Sequence, residues 1–112
     1  MEKKKVMSAN LKLTENKYEY FVLSIEGETV AAALWPDEMS QLLQQDENIC
    51  MNMLGLEKFC LVLKSSIVEY EKKEEGEGDN KKELIVIKSI TLNDTLGIVK
   101  HAVDAFMQQM LG

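Results

Sequence analysis

Leu96, Val99, Val103, Phe106 and Met110 stand three, four, three and four positions apart. That spacing predicts one apolar stripe on a helix starting near Asn93 and running to the end of the chain. The stretch before it, Lys81–Leu92, holds Leu84, Ile85, Val86, Ile87 and Ile90 and predicts a strand. Closing as strand, tight turn and amphipathic helix places the chain in the α+β class.

The earlier residues extend this pattern. Lys3–Asn10 is polar, so residues 1–10 are expected to form a flexible lead-in. Leu11 and Leu13 alternate with Lys12 and Thr14 as a short strand, and Thr14–Lys17 is a turn. Tyr18–Ile25 alternates, with Phe21, Leu23 and Ile25 on one face and Tyr18, Tyr20 and Val22 on the other. Glu26-Gly27-Glu28 signals a hairpin, Gly27 supplying positive φ, and Thr29–Trp35 returns as the partner strand.

Pro36 suits a first helical position, with Asp37 and Glu38 at the positive end of the dipole and Met39, Leu42 and Leu43 as the apolar face. Gln44–Asn48 interrupts that face. Ile49–Leu56 fits a short helical continuation, although Ile49, Met51 and Met53 also alternate as in a strand; Gly55 ends it. Phe59–Glu71 is expected as a long strand bulged at Ser65-Ser66. Lys72–Lys82 has no apolar residue and reads as a mobile hairpin loop. Thr91 or Asn93 caps the final helix, and Gly97 is an unfavourable guest inside it. The expected order is β-β-β-α-β-β-α. It makes an antiparallel sheet of about five strands with two helices on one face, as a single domain over residues 11–112.

Composition changes the picture chiefly through charge. The 112 residues include 19 acids against 13 bases, a net charge of −6. This balance disfavours nonspecific attraction to phosphate backbones and anionic lipid. No apolar run reaches the about 18 residues of a membrane span. Met1-Glu2-Lys3-Lys4-Lys5 resembles the charged start of a signal peptide but is followed by polar residues, so a cytoplasmic location is expected. Cys50 and Cys60 then read as small core hydrophobes, although their separation would allow a disulfide.

The chain has few means of catalysis. His101 is its only histidine, and no local motif joins it to Cys50 or Cys60. Two cysteines and one histidine lack the clustered spacing of a zinc site, and Glu71–Asp79 lacks the ligand rhythm of a calcium loop. Gly76 and Gly78 sit among acids that would repel phosphate. The expectation is a protein without enzymatic activity, cofactor or metal.

Two binding functions remain. Tyr18, Tyr20 and Tyr70, near Lys12, Lys17 and Lys64, could stack bases and hold phosphates. The closing half, a long strand, charged hairpin, strand and helix opening Ile90-Thr91-Leu92-Asn93-Asp94, resembles in layout the single-strand-binding folds of the positive cofactor four type. That resemblance spans about half the chain and implies a nucleic-acid-binding alternative. Protein binding has the stronger physical motive. There are seven methionines, with Met39, Met51, Met53, Met107 and Met110 in or near helices, where their adaptability suits a partner surface. Phe106, Met107, Met110 and Leu111 crowd the last turns of the final helix and are the expected partner-binding residues, a second copy being the expected partner. The reading is a small acidic, non-catalytic protein-binding domain of adaptor, inhibitor or phage-accessory type that forms a homodimer.

Overall fold

Alternation along β2 (Glu19–Ile25) sets the inside and outside of the sheet. Phe21, Leu23 and Ile25 are buried, while Tyr20 and Val22 occupy the other face. The structure, a computed structural model, describes residues 1–111. β1 (Glu2–Leu13) runs antiparallel beside β2, with Leu11 opposite Phe21 and Ala9 opposite Leu23. Its other edge pairs with β4 (Ile67–Glu75), Lys5 opposite Ile67 and Glu2 opposite Tyr70. β3 (Ala32–Leu34) flanks β2 and β5 (Lys82–Thr91) flanks β4, giving the order β3-β2-β1-β4-β5, antiparallel throughout. The expected α+β class and five-stranded antiparallel sheet are present; the described residues form four α-helices rather than two.

Residues 1–10 depart most from expectation. Instead of a lead-in they supply most of the central strand. β1 reads as polar because few of its positions face the core: Val6 is fully enclosed, and Ala9 and Leu11 pack against the buried cluster. What makes it a strand is pairing with neighbouring β2 on one edge and with distant β4 on the other.

Phe59–Leu63, expected as strand, belongs to α3 (Leu56–Leu63). Strand alternation would bury Phe59, Leu61 and Leu63 together. Instead Phe59, Cys60, Val62 and Leu63 are buried and Leu61 is 71% exposed, the i, i+3, i+4 pattern of a helix face. Ser65, at φ 73°, reverses the chain where a bulge was expected. The turn is fastened to β1: Ser65 N–H donates to the Val6 carbonyl at 2.9 Å, and Val6 N–H donates to the Ser66 carbonyl at 2.8 Å. Buried Ser66 donates its hydroxyl to Leu63 O at 2.6 Å, so it carries no unmet polar group inside.

α1 (Pro36–Leu42) opens on proline, and the Glu38 carboxylate accepts the Trp35 N–H at 2.9 Å. α2 (Gln45–Leu54) opens likewise, Glu47 accepting the Gln44 N–H at 2.9 Å. Asn48 joins the two helices by donating its amide to the carbonyls of Ser40, Leu43 and Gln44. Gly55, at φ 86°, ends α2 and starts α3, a conformation glycine reaches without steric cost.

Residues 72–82 are not a loop throughout. β4 and β5 stay paired out to Glu75 opposite Lys82, leaving only 76–81 at the tip. Apolar Leu84, Ile85 and Val86 lie opposite Lys73, Lys72 and Glu71, so the stems of the charged residues have something to cover.

The final helix α4 (Ile98–Leu111) starts after Asn93, because Gly97 at φ 69° breaks the turn before it. Asp94 Oδ1 accepts the Val99 N–H at 3.0 Å. The final helix was expected on one face of the sheet, but its stripe residues Leu96, Val99, Val103 and Phe106 are not buried there. α4 packs on α2, only Ala102 is fully buried, and Leu96 is 84% exposed. The core lies instead between sheet and α1–α3, around Phe21, Leu23, Met39, Phe59, Leu63 and Tyr70. Phe21 and Phe59 meet edge to face at 6.5 Å. Cys50 and Cys60 are free thiols within this core.

Candidate interaction surface

The stripe predicted on α4 exists, but α2 covers only one flank of it. Val99, Val103 and Phe106 are half-buried, while Met107, Met110 and Leu111 are 49%, 71% and 85% exposed. Between α2 and α4 runs a cleft of about 460 Å³ lined by Met53, Leu54, Leu96, Ile98, His101 and Ala105 among others. Leu96 and Ile98 also border a depression shared with Leu61 and Lys64, and Leu61 borders another with Leu11 and Leu13. These depressions, mixed polar and apolar in their lining, run from α4 across α3 toward the end of β1. Leu61, which lies in the expected strand Phe59–Glu71, and Leu96, from the expected stripe, both line these depressions. Their exposure follows from the helical geometry of α3 and the late start of α4, neither of which hydrophobicity alone reveals. Within α4 the charged residues are Lys100 and Asp104, which balance on a chain of net charge −6.

Four of the six residues considered for nucleic acid come together at the β1–β2 hairpin. Lys12 lies opposite Tyr20, Lys17 sits in the turn at φ 65°, and Tyr18 is exposed beside it. Tyr70 does not join them: it is fully enclosed in the core. Lys64 ends α3 near Asn93–Leu96, whereas the Leu56 end of that helix borders Tyr18. Trp35, read from the sequence only as the end of the Thr29–Trp35 strand, completes the group. The β2–β3 register places Leu34 opposite Phe21 and carries Trp35 to Tyr20, the rings 5.8 Å apart and tilted by 58°. On one side of Trp35 a depression of about 340 Å³ is lined by Tyr18, Glu19, Pro36, Asp37 and Leu56.

A third cluster links the sheet to the β2–β3 connection. Tyr70 donates its hydroxyl to Glu28 Oε2 at 2.5 Å, and Lys72 Nζ lies 2.8 Å from Glu28 Oε1. Glu2 and Glu83 stand 3.7 and 3.8 Å from the same ammonium. The bond from Lys72, then that from Tyr70, holds the Glu28 carboxyl below its ordinary range. Burial, reinforced by Glu28, pushes the Tyr70 phenol up, and the bond to Glu28 raises Lys72. Lys72 thus sits among three carboxylates, and the bonds to Glu28 tie β4 to the β2–β3 connection. Burial likewise pushes up both thiols, with Asp94 and Glu47 adding to the effect at Cys50 and Glu57 at Cys60, away from nucleophilic poise.

Among the described residues no helix is long and apolar enough to cross a membrane. Compared with protein-family models, curated proteins and solved structures, the chain matches none.

Proposed function

We propose that this chain is a non-catalytic protein-binding domain that self-associates through α4, of the adaptor, inhibitor or phage-accessory kind. One observation carries the reading: α4 is docked along one flank only, leaving Met107, Met110 and Leu111 exposed at its end. A second copy is favoured over an unlike partner on electrostatic grounds. The chain is acidic as a whole, yet α4 balances Lys100 with Asp104, so a two-fold contact there brings no surplus like charge together. A cytoplasmic setting fits two enclosed free thiols. The nucleic-acid alternative rests on the hairpin residues Lys12, Lys17, Tyr18 and Tyr20, without Tyr70 or Lys64.

Sedimentation velocity on the parent and on Met107→Lys with Met110→Glu tests the proposal. The parent is expected to sediment as a dimer and the double variant as a folded monomer with unchanged far-UV circular dichroism. A parent that is monomeric at high micromolar concentration overturns self-association.

A further inference from the structure

Trp35 is the chain's single tryptophan, and it stands exposed at the join of β3 and α1. Trp35 and Tyr18 line one depression, together with Pro36, Leu56 and the acidic residues Glu19 and Asp37. Tyr18, Glu19, Trp35 and Asp37 are exposed. Glu38, the next acid along, is already engaged with the Trp35 N–H, so Glu19 and Asp37 are the acids that remain for a ligand. Aromatic faces attract cations through their quadrupole, and carboxylates beside them strengthen that preference while repelling phosphate. The chain's net charge of −6 draws the same class of ligand from a distance. We infer that the Tyr18–Trp35 depression binds a cationic side chain, guanidinium or ammonium, presented by a basic polypeptide segment. Guanidinium is the better fit, since its flat face stacks on a ring while its edge donates to carboxylates. This surface involves no residue of α4 and stands independently of self-association.

Emission from Trp35 reports directly on occupancy. The full chain is titrated with a blocked hexa-arginine peptide, with hexa-glutamate and with oligothymidylate. A saturable emission change with hexa-arginine alone is expected. Glu19→Gln with Asp37→Asn should weaken it by about fivefold, and Tyr18→Ala by about threefold. Glu74→Gln with Glu75→Gln removes the same charge from the far end of β4 and should change affinity by less than about twofold. Equal weakening by both charge pairs would mean bulk attraction and would overturn the site. So would no saturable response, or a response to oligothymidylate in place of the peptide, which would assign the hairpin to nucleic acid.

Discussion

α3 and α4 are both strongly amphipathic, and the shorter one is the better buried. α3 spans Leu56–Leu63 and encloses Phe59, Cys60, Val62 and Leu63; α4 spans Ile98–Leu111 and encloses Ala102 alone. The cause is what each lies against. α3 rests on β1 in the middle of the sheet, whereas α4 rests on α2, itself an outer element. A sheet offers a broad apolar floor; one helix offers another only a narrow seam. How apolar a helix is therefore does not decide how much of it is covered, and the uncovered remainder marks where partners can attach.

Phe59→Ala is the strongest test of that contrast. It should cost about 3–5 kcal/mol in urea unfolding, because Phe59 is fully enclosed against Phe21. Phe106→Ala, from a half-buried site, should cost about 1–2 kcal/mol. Equal losses would break the comparison. Next in size, Ala102→Leu overfills the α2–α4 seam and should cost about 1–3 kcal/mol. A neutral result would mean that α4 is docked more loosely than its contact with α2 indicates.

Acid titration sharpens the comparison by probing a tie that neither helix makes. The Glu28 carboxyl is lowered in the folded state, so its contribution is full above the ordinary value of 4.5 and fades as pH falls through the folded value. Lys72 is raised, so its contribution is full below 10.5 and fades as pH rises through its folded value. Glu28→Gln should lower the melting temperature at pH 7 and flatten its dependence on pH below 4.5. The same loss should follow in the Met107→Lys, Met110→Glu background, since α4 takes no part. The smallest effect is expected from that double variant itself: within about 0.5 kcal/mol on monomer stability, read where the protein is dilute. A large loss there would mean those methionines are core after all.

Much of the sheet is legible in sequence. Alternation in Tyr18–Ile25, the Glu26-Gly27-Glu28 turn and the Pro36 helix start are local signals, and each appears in place. Gly27 takes φ 78° as its turn requires. The start of β1 was hidden because Glu2–Lys5 pair with β4, far along the chain. Phe59–Leu63 was misread because a short run apolar at nearly every position satisfies both periods; only the outward Leu61 distinguishes them. Of the surface, Met107, Met110 and Leu111 were readable as surplus apolar residues at a helix end. Trp35 was not, because its aromatic neighbours Tyr18 and Tyr20 flank the start of another strand and meet it only through the β2–β3 register.

The place of β1 in the middle of the sheet bears on how the chain is made. Its pairing with β2 closes a hairpin and forms quickly once both strands are available. Its pairing with β4 joins Glu2 to Tyr70 and Lys5 to Ile67, so one edge stays open until the chain has been synthesised beyond Glu75. At about 5–20 residues per second, that is on the order of three to ten seconds after β2 is complete. During that interval the nascent chain displays an unpaired strand edge, and the three lysines at Lys3–Lys5 guard it by mutual repulsion against premature partners.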